Sequence, residues 1–426
     1  MITDFFIKGL LRDNSRSLLP IIVVAIGVFS VVFISGYISG SVNNFISKMA
    51  NTQTGHVKIV SRAYWEEKDQ QPLDLALKNA KTLISSLQSN YPKLMWAERI
   101  PFFGLLDLPT NKKETKTQGP VVGVAYDMLS GKNANINCER LKLKKALING
   151  DLIKQAGEVI ISVDFAEKYN VNIGDSVTFL GSTMYNSMTF GNYTIAGIMT
   201  FGSSILNKGA ILMDIADARL LLDMEDAVSE VMGFFPDNKY DRESCEELKD
   251  KFNKQYAFDK DEYAPQMVQL ADQQGMDETL EYAYNFKFTL MSIFIFALSI
   301  MLWNTGIIIS IRRYNEFGLR LALGEEKGHI YRILLLESLI IGFVGSTIGT
   351  ILGLLGCLYI NTYGLDYSAF IDEVPIMMDT TIYAEILPHM YYIGFIVGIF
   401  SILIGTALAG RAIYKRKTAG LFKELD

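Results

Sequence analysis

The side chains that most often carry out catalysis are few in this sequence and do not form a catalytic pattern. The three histidines, His56, His329 and His389, are far apart, so they do not predict a shared metal site. The phosphate-binding pattern G-x-x-x-x-G-K-[ST] and the hydrolase pattern G-x-S-x-G are both absent. We therefore expect no active site, metal site or cofactor site in this chain. An active site made of residues scattered along the sequence would leave no such pattern, and this alternative stays open.

Residues 315–339, NEFGLRLALGEEKGHIYRILLLESL, suggest a different chemistry, which is the docking of another protein. Their first half is charged and their second half is almost entirely aliphatic. Phe317, Leu319, Leu321 and Leu323 lie among the charged residues, and we expect all four to be exposed to the cytoplasm. Exposed apolar side chains beside charges are typical of a docking helix. The alternative is a solvated connector whose basic residues only set the membrane orientation.

This segment lies between apolar segments that are long enough to cross a membrane. The chain has 426 residues, of which 50% are hydrophobic, and its net charge of −6 argues against a nucleic-acid-binding protein. Spanning a bilayer takes about 20 apolar residues. Four segments reach that length, and we predict that they are transmembrane helices: residues 18–40, 286–311, 330–360 and 390–412. None has a charge near its middle, which argues against an ion-coupled carrier.

The distribution of Lys and Arg predicts the orientation of these helices. Basic residues are concentrated before the first span, between the second and third spans, and after the fourth. Residues 361–389 contain no Lys or Arg but several acidic residues. Both termini and residues 312–329 should therefore face the cytoplasm, and residues 41–285 and 361–389 the outside. The first span is longer than the core of a usual signal peptide, so we expect an uncleaved anchor rather than a cleaved signal.

Residues 41–285 are numerous enough to form one or two folded domains. Strand-like runs, a short helix and turns alternate in residues 157–213, and helical runs precede and follow them. We predict an α+β domain of two lobes between the first and second transmembrane helices, with a β-rich lobe at residues 155–225 inserted into the other lobe. We also predict an interfacial helix at residues 1–17 and a cytoplasmic tail at residues 413–426.

Small residues recur at a spacing of four in the predicted spans, a pattern that lets helices approach closely in lipid. We expect the following glycines to pack against a partner helix: Gly36, Gly40, Gly349, Gly353, Gly394 and Gly398. Glycine is also common in membrane helices without such a role, and this alternative stays open.

Two of the three cysteines lie in the region expected to be outside, where a disulfide can form. Cys138 and Cys245 are therefore a candidate pair, although the sequence does not place them within bonding distance. Cys357 lies in the third predicted span, where we interpret it as a small apolar residue.

Residues 312–345, RRYNEFGLRLALGEEKGHIYRILLLESLIIGFVG, closely resemble the signature of the FtsX-like permease family. That signature reads R-x-x-E-[IFL]-G-[LI]-x-x-A-[LI]-G and continues into an apolar helix. Residues 9–37 resemble the family's first helix and span, and residues 157–222 resemble its ectodomain pattern. The tail lacks the proline that many members have there, so the resemblance says little about the contacts of the tail.

The resemblance implies the transmembrane subunit of a type VII, or MacB-like, ABC transporter. In this family two permeases pair with two separate ATPase subunits that bind ATP and Mg²⁺, so the chain itself would not be an enzyme. The implied coupling helix, at residues 312–329, would contact the ATPase through Glu316, Phe317, Gly318, Leu319, Arg320, Ala322 and Gly324. ATP-driven closure would then pass through the second span to a periplasmic, porter-like domain, a mechanism called mechanotransmission.

Within the family, the resemblance is closest to the LolC/LolE lipoprotein-releasing group. Residues 52–67, TQTGHVKIVSRAYWEE, are similar to the start of that group's ectodomain. This implies a protein of the bacterial inner membrane that draws lipoproteins from the bilayer and passes them to a periplasmic carrier. Two alternatives stay open: MacB-like export of a small hydrophobic molecule or peptide, and an FtsX-like relay that activates cell-wall hydrolases. Whether two identical or two different permeases pair is also open.

Overall fold

The computed structural model describes residues 14–108, 117–201, 204–273, 275–312, 314–366 and 381–415. These residues form two compact units. The membrane unit comprises the described residues up to Asn44, Tyr282–Asp366 and the described residues from Thr381 onwards. The sheet unit comprises the described residues of Phe45–Glu281.

The helices and strands follow one another along both units. The helices are α1 (Asn14–Met49), α2 (Arg62–Glu66), α3 (Ala80–Asn90), α4 (Gly131–Arg140), α5 (Leu143–Ala146), α6 (Val163–Tyr169), α7 (Ser204–Asn207), α8 (Ile215–Leu221), α9 (Arg242–Gln255), α10 (Met276–Arg312), α11 (Tyr314–Ala322), α12 (Lys327–Tyr363) and α13 (Met390–Lys415). The strands are β1 (Val57–Ser61), β2 (Leu77–Lys78), β3 (Met95–Leu108), β4 (Thr117–Tyr126), β5 (Leu147–Gly150), β6 (Glu158–Ser162), β7 (Ser176–Ser182), β8 (Met188–Met199), β9 (Ala210–Asp214), β10 (Ala227–Val228), β11 (Glu230–Phe234), β12 (Pro265–Gln269), β13 (Leu365–Asp366) and β14 (Thr381–Ile382). A π-helical turn, Ala50–Thr54, follows α1, and a 3₁₀ turn, Leu270–Asp272, follows β12.

Four of these helices, α1, α10, α12 and α13, are long and apolar enough to cross a membrane, which confirms the four predicted spans. Two of them extend by nine residues or more beyond the apolar segments in the sequence. The helix α1 continues to Met49, past residue 40, and α10 begins at Met276, before residue 286. Hydropathy indicates where a segment leaves the membrane, whereas a helix ends where its backbone hydrogen bonds end. The polar residues beyond these two spans therefore remain helical.

The sheet unit lies in the chain between the first and second of these helices, as predicted, and ten of its strands form one sheet. The short strands β2 and β10 pair with each other in a separate two-stranded sheet. Neighbouring strands pair in the order β12-β1-β11-β3-β4-β9-β6-β8-β5, and β7 pairs with both β3 and β8. The long strand β3 joins the two halves of the sheet. Its residues 95–99 pair with β11, and its residues 100–108 pair with β4.

Six strands of this sheet close into a ring. In turn, β3 pairs with β4, β4 with β9, β9 with β6, β6 with β8, β8 with β7, and β7 with β3 again. The predicted β-rich lobe of residues 155–225 is therefore incomplete, because the ring also requires β3 and β4. Pairing between strands that are distant in sequence depends on tertiary contacts, which a local pattern does not contain.

Alternation along β3 separates the interior of the ring from its outer surface. Phe102 and Leu106 are fully buried, whereas Phe103 and Leu105 are exposed, as expected of a strand with one face on a core. Phe102 meets Phe179 of β7 edge to face, with 5.3 Å between the ring centroids. A second apolar cluster contains residues of α4, α5 and β11, and it covers another part of the sheet.

Three predicted segments lie partly outside the described residues. For the interfacial helix at residues 1–17, the described part begins at Asn14 and belongs to α1. For the tail at residues 413–426, the described part ends at Lys415 and belongs to α13. For the loop at residues 361–389, residues 367–380 lie outside the described chain, and β13 and β14 pair on either side of them.

Candidate functional site

The predicted docking segment contains the short helix α11, which lies in the chain between α10 and α12. Its charges suit the helix dipole, since Glu316 lies in the first turn and Arg320 in the last. Beyond the helix, Gly324 has a positive φ of 90°. The amide of Gly324 bonds to the carbonyl of Leu321, and the amide of Glu325 bonds to that of Arg320. This pair of bonds is a Schellman motif, which ends a helix and favours glycine at this position.

The Schellman motif makes α11 shorter than the predicted segment at residues 312–329. The helix ends at Ala322, and α12 already begins at Lys327. Between them the backbone of Glu326 is extended, with a ψ of 136°, and its carbonyl accepts the amide of Ile330 at 3.2 Å. The two helices are therefore joined by a tight turn, and the charged half of the segment is separate from the apolar half.

One face of α11 is buried against α12. Phe317 has only 3% of its surface exposed and packs in a cluster with Ile330 and Leu334, and Leu321 is half-buried beside them. The expectation that all four apolar side chains are exposed is therefore wrong for Phe317. Residues four apart share a helix face, whereas residues two apart lie on nearly opposite faces. Phe317 and Leu321 consequently face α12, and the two leucines between and beyond them do not.

The opposite face of α11 is not covered by any of the described residues. Leu319 is 62% exposed and Leu323 is 80% exposed, and Ala322 is exposed beside them. Glu316 and Arg320 are half-exposed. Exposed leucines flanked by charged side chains are suited to a groove on another protein. Leu319, Leu323 and Ala322 form the surface that we call the outer face of α11.

The residues implied by the family signature thus occupy different kinds of position. Phe317 and Gly318 are buried, so they are not available to a partner protein. Leu319 and Ala322 belong to the outer face, and Gly324 ends the helix. The 3.6-residue period of a helix was the signal that could have made this division from the sequence alone.

Glycines of α12 form a groove that receives a ridge of valines from α1. The facing positions repeat every four residues in both helices: Gly345, Gly349 and Gly353 on α12, and Val24, Val28 and Val32 on α1. A Cβ atom added to Gly349 would lie 2.5 Å from the carbonyl oxygen of Ala25, which is a backbone atom. Only glycine therefore allows this approach, and the packing is the kind that small residues provide in membranes.

Glycines of α13 contact the same ridge. A Cβ atom on Gly394 would lie 2.7 Å from Val28, and one on Gly398 would lie 2.8 Å from it. Val28 is completely buried as a result. The three helices α1, α12 and α13 are thus held together around one valine.

The other two predicted packing glycines lie further along α1. A Cβ atom on Gly36 would lie 2.5 Å from the sulfur of Cys357, and one on Gly40 would overlap the backbone at Tyr383. The amide of Glu385 also donates to the carbonyl of Gly36 at 3.0 Å. The predicted glycines therefore lie at close contacts within this chain. The small-residue spacing alone does not show whether such contacts lie within one chain or between two chains.

The candidate disulfide is not formed in this structure. Cys138 and Cys245 are both free thiols. Cys138 of α4 packs against the cluster that contains Phe234, whereas Cys245 of α9 is buried in a different cluster with Phe252. Each sulfur therefore has its own apolar surroundings.

The sheet unit contains a buried charged group that the sequence reasoning missed. Glu230 of β11 accepts from Nζ of Lys58 at 2.9 Å, from Nε of Arg99 at 2.5 Å and from the hydroxyl of Tyr64 at 3.3 Å. Burial raises the pKa of Glu230, but the cations of Arg99 and Lys58 hold it below its ordinary value. The one local signal was a lysine within the otherwise uncharged strand VKIVS, because an isolated lysine is normally exposed.

The three histidines do not share a common cluster in the described part of the chain. His56 belongs to the sheet unit, whereas His329 and His389 belong to the membrane unit. Among the described residues, no group of three His, Cys, Asp or Glu side chains is placed to hold a metal ion.

Two family models match the chain over most of its length. The model of the FtsX-like permease C-terminal domain matches residues 288–418, and the model of the MacB-like periplasmic core domain matches residues 17–241. The second match alone covers more than half of the chain. This chain belongs to the family of FtsX-like and MacB-like ABC permeases. Members of this family are generally non-catalytic membrane subunits that dimerise and work with an ABC ATPase, and the four apolar helices agree with a location in the inner membrane.

Two solved structures are similar to part of this FtsX/MacB-type permease. One is the periplasmic region of MacB from Actinobacillus actinomycetemcomitans, with 12% identity and a TM-score of 0.33 over 55% of this chain and 95% of that chain. The other is the extracellular domain of the noncanonic ABC-type transporter YknZ from Gram-positive bacteria, with 11% identity and a TM-score of 0.31 over 50% of this chain and 98% of that chain. None of the curated proteins matches this permease.

Proposed function

We propose that this permease couples ATP hydrolysis by a separate ATPase to movement of its sheet unit, and that the outer face of α11 is where the ATPase binds. The observation that carries the proposal is the division of α11 into two faces. Phe317 fixes the helix to α12, while Leu319 and Leu323 remain exposed between charged residues. A force applied to the outer face would therefore be transmitted to α12 through packed side chains.

The charge distribution supports a cytoplasmic position for α11. Lys and Arg are concentrated around residues 312–332 and near both termini, and they are absent from residues 361–389. In this topology both termini and α11 lie on the side where an ATPase is found. The sheet unit then lies on the other side of the membrane, where it is available to a periplasmic substrate.

The partners follow from this arrangement. The ATPase would bind ATP and Mg²⁺, since the sequence of this permease contains no phosphate-binding loop. A second permease, identical or different, would complete the complex. The glycine groove does not serve that contact, because its glycines are already packed within the chain.

For the substrate we propose a lipoprotein, which would be drawn from the outer leaflet and passed to a periplasmic carrier. The support is the similarity of residues 52–67 to the start of the ectodomain in the lipoprotein-releasing group. Export of a small hydrophobic molecule or peptide and a relay to cell-wall hydrolases are the competing functions. The three functions share the ATPase contact and differ only in what the sheet unit moves.

Replacing both outer-face leucines tests the coupling. We expect Leu319→Glu together with Leu323→Glu to weaken copurification of an ABC ATPase at least tenfold, because central apolar contacts dominate protein interfaces. The control is Leu365→Glu, which makes one such substitution at an exposed leucine beyond the other end of α12. ATPase binding that survives the double substitution, or that is lost equally in the control, would overturn the proposed site.

A second experiment tests the substrate. The complex would be reconstituted into vesicles that contain a triacylated lipoprotein, and release would be measured with ATP and with a non-hydrolysable analogue. We expect release only with ATP and only with the wild-type outer face. ATPase activity that responds normally to the permease without any lipoprotein release would remove this substrate while leaving the coupling intact.

A further inference from the structure

One face of the sheet unit carries an unusual number of buried positive charges. Residues opposite one another in paired strands share a face, and so do residues two apart in one strand. Glu230 is opposite Arg99, and Met232 is opposite both Lys58 and Ala97. Lys58, Arg99, Glu230 and Phe234 therefore lie on the same face, which we call the cationic face.

The carboxylate of Glu230 is fully used by its neighbours. Its Oε1 atom accepts from Lys58 at 2.9 Å and from the hydroxyl of Tyr64 at 3.3 Å. Its Oε2 atom accepts from Nε of Arg99 at 2.5 Å and also contacts Nη2 of that residue. No capacity remains on Glu230 to balance a further cation.

Arg140 is that further cation. It lies at the end of α4, and its guanidinium stacks on the ring of Phe234, with 3.8 Å from Cζ to the ring centroid. Its Nε and Nη2 atoms are buried and have no hydrogen-bond partner among the described residues. These two atoms form the edge with which arginine binds carboxylates and phosphates through two parallel bonds.

The charges that surround Arg140 do not balance it. Burial lowers the pKa of Arg140 to about 10, Tyr126 acts in the opposite direction, and Arg99 lowers the pKa further. The cationic face with Arg140 thus has three positive charges and one negative charge. Leaving a buried guanidinium edge without an acceptor is strongly unfavourable, so an acceptor is expected to be present when the protein functions.

A second donor borders the same aromatic ring. Nδ1 of His56 accepts the amide of Phe235 at 2.9 Å, which places the proton of the neutral imidazole on Nε2. That Nε2 atom is also buried, and no hydrogen-bond partner for it lies in the described part of the chain. The imidazole meets Phe234 edge to face, with 5.7 Å between the centroids. The acidic residue that acts on His56 is Asp237, which is exposed.

We propose that the cationic face binds a small free oxyanion of the phosphate or carboxylate class, held by the Nε and Nη2 edge of Arg140. The Nε2–H group of His56 supplies a further donor beside Phe234. Because both donors are buried, the ion enters when α4 moves away from Phe234, and a bound ion then holds α4 in place. This site is independent of the ATPase contact, which belongs to the membrane unit.

Thermal unfolding of the full chain in detergent tests the site. Potassium phosphate would be titrated against potassium chloride at equal ionic strength, so that general screening is the same in both series. We expect saturating phosphate to raise the Tm by roughly 3 °C beyond chloride, since a ligand that binds only the native state stabilises it. Acetate at the same ionic strength should act in the same direction. Equal curves in phosphate, acetate and chloride would overturn the proposal.

Two variants locate the effect. Arg140→Gln should abolish the excess shift, because it removes both the charge and the paired donors. The matched control Lys145→Gln removes an exposed cation from the neighbouring helix α5 and should leave the shift unchanged. A full shift in Arg140→Gln, or its loss in Lys145→Gln, would contradict the assignment to Arg140.

A measurement on the wild-type chain decides the matter if Arg140→Gln does not fold. Hydrogen exchange of the α4 amides should slow at least tenfold in phosphate relative to chloride, because the bound ion fastens α4 to the sheet. Unchanged exchange would overturn the proposal.

Nanodiscs that contain phosphatidylglycerol or phosphatidylcholine distinguish a free phosphate ion from a lipid headgroup as the ligand. Protection of α4 that requires phosphatidylglycerol and does not occur with free phosphate would exclude a free ion.

Discussion

The membrane unit and the sheet unit achieve close packing by opposite means. In the membrane unit, glycines bring backbones together, and Gly349 of α12 lies directly against the backbone of Ala25 in α1. In the sheet unit, large rings fill the interior, and Phe102 and Phe179 meet edge to face inside the ring of strands. Close backbone contacts at glycines stabilise the membrane unit, whereas buried aromatic side chains stabilise the sheet unit.

This difference indicates what each unit tolerates. Lipid is as apolar as a leucine side chain, so burial alone gives membrane helices little reason to associate, and shape has to supply the stability. The sheet unit is surrounded by water, so burying aromatic area stabilises it directly. Enlarging a residue should therefore damage the first unit, whereas truncating a residue or removing a charge should damage the second.

Gly349→Leu should produce the largest effect. The added side chain would meet the backbone of Ala25 at 2.5 Å, and backbone cannot move aside as a flexible side chain can. We expect destabilisation of more than about 5 kcal/mol and loss of the monodisperse folded protein on size exclusion in detergent. Leu352→Ala, one turn away at a half-exposed position of the same helix, should remain monodisperse. Similar behaviour of the two variants would show that α1 and α12 are not packed through the glycine groove.

Glu230→Gln tests the charged part of the sheet unit. The substitution keeps the shape of the side chain but leaves Lys58 and Arg99 buried without their carboxylate. Breaking a buried pair in this way costs about 3–5 kcal/mol, which should lower the Tm of the sheet unit clearly. The control Asp151→Asn breaks the mostly exposed pair with Lys154 and should leave the Tm unchanged. A Tm that falls equally in both variants would mean that the position of Glu230 in the core is unimportant.

Truncation at two adjacent phenylalanines isolates the contribution of the aromatic core. Phe102 is fully buried and Phe103 is 50% exposed, although they are neighbours in β3. We expect Phe102→Ala to destabilise the sheet unit by about 3–4 kcal/mol and Phe103→Ala by less than about 1 kcal/mol. Denaturant unfolding followed by tryptophan fluorescence would measure both. A reversed order would mean that β3 presents its other face to the interior.

Acid should weaken the sheet unit through His56. Burial lowers the pKa of His56 from 6.5 to about 4, Asp237 raises that pKa in part, and Arg140 lowers it by a smaller amount. The unfolded chain therefore binds this proton at a higher pH than the folded chain, so stability is unaffected above pH 6.5 and falls as the pH decreases towards 4. We expect a loss of about 2 kcal/mol by pH 5. His56→Gln should have a flatter profile between these pH values, and an equally steep profile in the variant would assign the acid sensitivity to other groups.

The sequence predicted the membrane unit better than the sheet unit, for a physical reason. Hydropathy is a local property, so it located α1, α10, α12 and α13, although it could not show that α1 continues to Met49. The ring of strands depends on pairs such as Val122 with Ala210, whose partners are far apart in the chain. The local pattern therefore indicated strands but omitted β3 and β4 from the predicted lobe.

The candidate site shows the same limit on a smaller scale. The motif located α11, but treating Phe317 and Leu319 alike ignored the helical period that places them on different faces. The glycine spacing indicated close packing and did not reveal whether the neighbour belonged to the same chain. Arg140 gave no signal at all, because an arginine in a polar helix is expected to be exposed.

Protection of the outer face of α11 is the most direct test of the central claim. Leu323→Cys and Leu365→Cys would be introduced separately into a chain whose three native cysteines are replaced. Each would be labelled with a maleimide in open membranes, with and without the copurified ATPase. We predict that the ATPase slows labelling of Leu323→Cys at least tenfold and leaves Leu365→Cys unchanged, because only the first side chain lies in the contact. Equal labelling of Leu323→Cys with and without the ATPase would contradict the account.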